Sequence, residues 1–428
     1  MSSTVLFSLE GRGLKLDTAA DLEPHIKALK ENEDVEEVRL QGNTLGVEAC
    51  EALAAILRSK KKLRTAILAD IFTSRLLSEI PPALDALLTA LLRCPQLRTV
   101  DLSDNAFGLN TVAPLQPFLS QHTPLQHLIL TNNGLGPAAG TLIAEALTAL
   151  AAKKESGRSS SSTPKDIPDL ETVICGRNRL ESGSMAAWAK AYQANKNILT
   201  IKMTSNGIRQ EGVSHLLSAG LAHCASLQTL DLQDNTFTHT AAGVLAATLP
   251  SWPRLKELGV GDCLLTSQGM RAVAKTFSSG SSPALEILRL QYNEIDISGL
   301  KALVDALHAK PKLRRVELNG NKFNEEDPVI ERLKEVLDER REEYGPGFEE
   351  GVDQEWGLDE LDDLEDEDED EDEDERSEDG GEEELEEVEE KANKVLQEAE
   401  EAEDENVALE EDKSVDQLAN MMEKAELK

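Results

Sequence analysis

The polar side chains with potential for chemistry fall in two rows. One row holds Arg39, Asp101, Lys202, Asp231, Arg289 and Glu317; the other holds Asp104, Asn132, Arg177, Ser205, Asp234, Asp262 and Tyr292. Both rows mix charge sign and avoid apolar bulk, which suits a protein-binding surface. The exterior of any folded repeat must also be polar, so polarity alone singles out no residue. The motifs of self-contained catalysis are missing: there is no G-x-x-x-x-G-K-S/T loop, no H-E-x-x-H and no G-x-S-x-G elbow. The seven histidines are scattered, and the acidic run near the C-terminus lacks the spacing of a calcium loop. The five cysteines (Cys50, Cys94, Cys175, Cys224, Cys263) form no C-x-x-C pair and read as reduced residues of a cytosolic or nuclear protein. These features point away from an enzyme with its own cofactor or metal.

The rows take their meaning from a hydrophobic template, L-x-x-L-x-L-x-x-N-x-L, met about eleven times. Leu97-Val100-Leu102-Asn105-Phe107, Leu125-Leu128-Leu130-Asn133-Leu135 and Leu313-Val316-Leu318-Asn321-Phe323 are regular copies. Leu255-Leu258-Val260-Cys263-Leu265 carries Cys at the Asn position, Ile71 takes that position in another copy, and Phe7 to Leu14 reads as a cap. Most copies lie 28 residues apart, which leaves room for a strand, a turn and a helix. The stretch VEACEALAAILRS (Val47–Ser59) has the apolar spacing of such a helix. The predicted fold is an α/β leucine-rich repeat horseshoe of about 11 units of ~28 residues, parallel sheet inside and helices outside, over residues 1–345. In this register the template Asn is buried in the turn, where it satisfies backbone groups that lack strand partners. Cys175 and Cys263 are core fillers, and Cys94 and Cys224 sit at helix ends.

Two spacings depart from 28. A gap of 45 contains KKESGRSSSSTPKDIPD (residues 153–169), whose composition predicts an exposed, mobile loop. It is either a tolerated insertion or a phosphorylation target. A gap of 34 contains ADIFTSRLLSEIPPAL in place of a regular turn, and a break in a regular array is where function is sought. After a capping helix over Glu325–Glu343, Gly345, Pro346 and Gly347 mark the expected boundary with a tail, 346–428.

Charge divides the same way. The chain carries a net −37, of which residues 351–428 hold −32. A tail so acidic and so poor in apolar surface is expected to be mostly disordered. It disfavours nucleic acid as the main ligand and fits a basic protein partner or a solubilising role. No run of 18 apolar residues and no secretory signal is visible, so neither a membrane span nor secretion is expected.

Beyond the template, ADIFTSR with EIPPAL, LSDNAFG, HTPLQHLILTNNGLGP, ICGRNRLESGSM, LDLQDNTFTH, LRLQYNEI and ELNGNKF resemble the Ran GTPase-activating protein family, in its fungal form. A repeat body followed by an acidic tail is also that family's layout. The resemblance implies an enzyme regulator, cytoplasmic and monomeric, that stimulates GTP hydrolysis by the small GTPase Ran and supports nucleocytoplasmic transport. The partner would be Ran in its GTP form, alone or with a Ran-binding protein. GTP and Mg²⁺ would belong to Ran, and this chain would need no cofactor.

The resemblance also implies a mechanism without an arginine finger: an Asn on a repeat loop positions Ran's own catalytic glutamine. That loop is Thr131-Asn132-Asn133-Gly134 here. The register assigns Asn133 to the turn interior and Asn132 to the outside, and an outward amide can both donate to and accept from a glutamine. Asn132 is therefore the candidate positioning residue. Arg75, within DIFTSR, is the second: it touches phosphate, or it holds the loop through Asp70 or Glu79, the latter reading being preferred. Asp104, Arg177, Lys202, Asp234, Asp262, Arg289 and Tyr292 are candidate partner contacts. The competing reading is an acidic-tailed leucine-rich repeat protein that binds or chaperones histones; its shorter repeats fit the 28-residue period poorly.

Overall fold

The computed structural model describes residues 5–160, 167–344 and 356–364. The template residues fold as expected. Twelve short strands, from Leu6–Ser8 to Gly357–Leu358, form one parallel sheet in strict sequence order. Eleven are template strands; the twelfth comes from beyond the expected body. Register is uniform: Val100 pairs with Leu128, Leu128 with Val173 and Val173 with Ile201, so equivalent residues stack from unit to unit. All of these side chains have no exposure to solvent.

Helices between the strands cover one face of the sheet. Val47–Leu57 shows why: Ala49, Cys50, Leu53, Ala54 and Leu57 fall on one side and are buried. The core runs without interruption from Phe7 to Leu337. A repeat can bury its apolar side only against its neighbours, so each unit depends on the next. Truncating one stacked leucine to Ala should cost about 2–5 kcal/mol.

The template asparagines form a ladder inside the turns. Asn133 donates Nδ2 to the Leu102 and Leu130 carbonyls (3.1 and 2.9 Å), and its Oδ1 accepts the Asn105 amide (2.9 Å). The Asn133 amide in turn donates to Asn178 Oδ1, and the Asn178 amide to Asn206 Oδ1. Cys263 keeps the donor half of this role, with Sγ 3.5 and 3.3 Å from the Leu232 and Gly261 carbonyls.

Two expectations need correction. The segment 153–169 does not begin as a mobile loop: its first eight residues are the end of a helix, Gly136–Ser160. Lys154, 2 % exposed, donates Nζ to the carbonyls of Leu125 and Pro168. Arg158 binds Asp169 Oδ1 at 2.6 Å and the Ile167 carbonyl at 3.1 Å. Burying a lysine stem and satisfying two carbonyls ties the helix to the body where composition suggested solvent. The serine-rich centre, 161–166, lies outside the described residues.

The body also does not stop at 345. Gly357–Leu358 pairs with the last repeat strand, Arg315–Glu317, and Leu358, Leu361 and Leu364 pack against the core. An open sheet edge leaves unpaired amides, and this short acidic segment covers them. Residues 365–428, where disorder was expected, lie outside the described residues.

Candidate functional site

The residue before each template Asn has one backbone conformation throughout. Asp104, Asn132, Arg177, Ser205, Asp234, Asp262 and Tyr292 all have φ between 51° and 60°, the left-handed region. Gly42 and Gly320 occupy the same position with φ 73°. Holding a non-glycine residue there costs about 1 kcal/mol or more, least for Asn and Asp. A recurrent hydrogen bond enforces it. The amide of each ridge residue donates to the carbonyl just before the next ridge residue: Asp104 to Thr131, Asn132 to Gly176, Arg177 to Thr204, Asp234 to Gly261, Asp262 to Gln291 and Tyr292 to Asn319, at 2.7–2.9 Å. The side chains are thereby turned out of the core along the C-terminal ends of the strands. Most are exposed, and Ser205 is half-buried.

Asn132 and Asn133 separate as the register required. Asn133 has no exposure, while Asn132 is exposed. Asn132 Nδ2 donates to Asp104 Oδ1 at 2.8 Å. A carboxylate only accepts, so Asp104 fixes which way the amide faces. Asn132 Oδ1 accepts no hydrogen bond from any described residue. Asp104 stands 28 residues before Asn132, at the same repeat position. That spacing is the sequence signal for the pairing.

Arg75 lies elsewhere. Its side chain is 7 % exposed, and its guanidinium is engaged by Asp17 Oδ1 (2.6 Å), Thr44 Oγ1 (2.8 Å) and the Thr44 carbonyl (3.0 Å). The supporting geometry expected of it exists, but with different partners: neither Asp70 nor Glu79 pairs with it among the described residues. Asp70 instead binds Thr73 Oγ1, and Glu79 accepts the Leu76 amide. Arg75 thus staples the irregular loop to the first repeats. Its hydrogen bond, and then its charge, hold the Asp17 carboxyl below the usual carboxylate range. No hydrogen bond or ion pair links it to Asn132 among the described residues. The same loop exposes Leu76 and Leu77 (68 and 61 %), and the next unit exposes Leu109 (56 %), three apolar side chains the template did not flag.

The remaining candidates differ in how free they are. Arg177, Asp234 and Asp262 are exposed on the ridge with no side-chain partner among the described residues. Lys202 is half-buried within the sheet, in register with Asp231. Arg289 is held between Glu257 (3.6 Å) and Glu317 (3.4 Å). Tyr292 donates its hydroxyl to Asp363 Oδ2 at 2.9 Å, and that carboxylate raises the phenol's pKa. All five cysteines are buried, and burial pushes the thiols of Cys50, Cys175, Cys224 and Cys263 up to about 12. Such thiols are poor nucleophiles. No group of three potential metal ligands occurs among the described residues, and none of their helices is long and apolar enough to cross a membrane.

A repeat scaffold of stacked parallel strands and helices, presenting a row of outward polar side chains, defines a leucine-rich repeat protein. A leucine-rich repeat family model matches residues 223–246 and 281–304. Over 345 residues the chain is 39 % identical to Ran GTPase-activating protein 1 of Saccharomyces cerevisiae, spanning 78 % of this chain and 82 % of that one. It is 34 % identical to Ran GTPase-activating protein of Drosophila melanogaster over 74 % of this chain and 52 % of the relative. Against Ran GTPase-activating protein 1 of Xenopus laevis it is 40 % identical over 47 % of this chain and 34 % of the relative. The chain belongs to the Ran GTPase-activating protein family.

Proposed function

We propose that this protein stimulates GTP hydrolysis by Ran, and that Asn132 does so by positioning Ran's catalytic glutamine. The observation that carries the reading is the Asn132 amide, exposed in a left-handed turn and oriented by Asp104, with Oδ1 unpaired among the described residues. A glutamine side chain meeting it can donate to Oδ1 and accept from the second Nδ2 hydrogen. Fixing that glutamine in the pose that orients the attacking water contributes by preorganisation, without new charge from this chain. GTP and Mg²⁺ are held by Ran in its GTP form, alone or with a Ran-binding protein.

Arg75 acts as a positioning residue. Its guanidinium is already engaged by Asp17 and Thr44, so it braces the loop that flanks the Asn132 ridge. Arg177, Asp234 and Asp262 are ridge contacts for the partner, with Asp104 both a contact and the orienting group. Lys202 and Arg289 contribute charge from the sheet face, and Tyr292 lies at the far end of the ridge. On this reading the protein acts as a cytoplasmic monomer and supports nucleocytoplasmic transport by returning Ran to its GDP form.

Single-turnover GTP hydrolysis by Ran, with and without the full chain, tests the proposal. Stimulation is expected with wild type. Asp104→Asn should lose roughly tenfold, because the amide is then free to flip. Unchanged hydrolysis with wild type present would reject the reading, and histone binding would become the next assay.

A further inference from the structure

The last strand of the repeat sheet, Arg315–Glu317, has no further repeat beside it, yet its edge is not bare. Gly357 donates its amide to the Arg314 carbonyl at 2.8 Å. Arg315 Nη1 reaches the carbonyls of Trp356 and Leu358 at 3.3 and 3.1 Å. The Trp356 ring, 7 % exposed, lies 5.8 Å from the Arg314 guanidinium carbon. Strand, cation–π contact and guanidinium fork together read an extended backbone with an aromatic anchor.

The acidic side chains are read individually. Asp359 accepts two consecutive amides, Leu318 at 2.7 Å and Asn319 at 3.0 Å. In the preceding unit the amide equivalent to Leu318, that of Leu290, donates to the next repeat's Glu317 carbonyl at 2.8 Å. For the Leu318 amide, the Asp359 carboxylate therefore takes the place of the backbone acceptor that a further repeat would supply. Asn319 then uses both ends of its amide: Nδ2 donates to Asp362 Oδ1 at 2.8 Å, and Oδ1 accepts the Asp363 amide at 3.0 Å. Tyr292 completes the set through Asp363.

We propose that the open edge of the repeat sheet is a recognition site for an extended acidic peptide with an aromatic anchor, and that residues 356–364 of this same chain are its resident ligand. Only two residues of that segment pair on the sheet; its leucines are partly buried against the core, and the hydrogen bonds of Asp362 and Asp363 are exposed to solvent. Covalent attachment supplies the effective concentration that so small a contact needs. The ligand is thus exchangeable, and the site becomes available when the segment leaves. The proposal stands independently of any action on Ran.

The full chain carrying Trp356→Ala and Asp359→Ala tests it, since both changes lie in the ligand and leave the repeats intact. Amide hydrogen exchange at Leu318 and Asn319 should accelerate at least tenfold, with Leu130 and Asn132 unchanged. A fluorescent synthetic peptide of residues 354–366 should bind the double variant saturably and wild type at least tenfold more weakly. A scrambled peptide of the same composition should not bind either. Failure of the peptide to bind the variant, equal binding to both proteins, or equal binding of the scrambled peptide would each overturn the proposal.

Discussion

Two polar ladders run through this protein, one at each end of the repeat, and they are built on opposite rules. At the strand ends the ladder is almost all asparagine: Asn43, Asn105, Asn133, Asn178, Asn206, Asn235, Asn293 and Asn321, all buried. At the helix ends the ladder is chemically mixed. Lys60 donates to the Asn32 carbonyl, Cys94 to Leu57, His122 to Leu97, Lys154 to Leu125, Asn195 to Leu147, Cys224 to Tyr192, Trp252 to Leu221, Ser282 to Leu249 and Lys310 to Phe277. The first ladder must accept an amide proton and donate to carbonyls within one tight turn, which a short primary amide does. The second must only donate to a carbonyl left over in or just after the helix of the unit before, and an ammonium, thiol, imidazole, amide, indole or hydroxyl all do that. Uniformity therefore marks a two-sided demand, and variety a one-sided one.

The largest expected effect comes from breaking the two-sided ladder. Asn133→Ala should lower stability by about 3 kcal/mol, read by denaturant unfolding, because it strands the Asn105 amide and two carbonyls. Its neighbour sharpens the contrast. Asn132→Gly keeps the left-handed turn, as Gly42 and Gly320 do at the same position, so stability should change by less than about 0.5 kcal/mol. Stimulation of Ran should nevertheless fall roughly a hundredfold in single-turnover assays. Equal loss of stability in the two variants would erase the distinction between inside and outside asparagines.

The one-sided ladder makes smaller predictions. Burial lowers the His122 pKa to about 4, below the ordinary value of 6.5. Between those values the unfolded chain binds a proton that the folded one refuses, so this contribution is lost as pH falls from about 6.5 to about 4. His122→Asn, which offers a donor without a titrating ring, should flatten that acid limb by about 2 kcal/mol in unfolding measured across the window. Cys224→Ser keeps a donor towards the Tyr192 carbonyl and should cost only about 1 kcal/mol, visible as a small shift in denaturant midpoint. A loss as large as that of Asn133→Ala would break the rule that any donor suffices there.

Much of this was legible in the chain alone, and the reason is periodicity. A template repeated every 28 residues assigns each Leu, each Asn and each ridge position without reference to distant contacts. That is why Asn132 separates from Asn133 on paper and why Cys94 and Cys224 fall at helix ends. Periodicity says nothing where it lapses. Arg75 finds Asp17 and Thr44, 58 and 31 residues away, rather than the nearby Asp70 or Glu79. Lys154 looked like part of a solvent-exposed insertion, because composition registers charge and cannot register a buried carbonyl in need of a donor.

By itself, then, the sequence determined the repeat, its count, the inward faces and the row of residues turned outward, because local register and burial decide all of these. Only the tertiary structure decided the left-handed backbone of the ridge, the direction of the Asn132 amide set by Asp104, the bracing of Arg75 and the closure of the sheet edge by residues 356–364. Each of those is a hydrogen bond between groups far apart in the chain. Its partner is chosen by which backbone groups the stacked repeats leave unsatisfied.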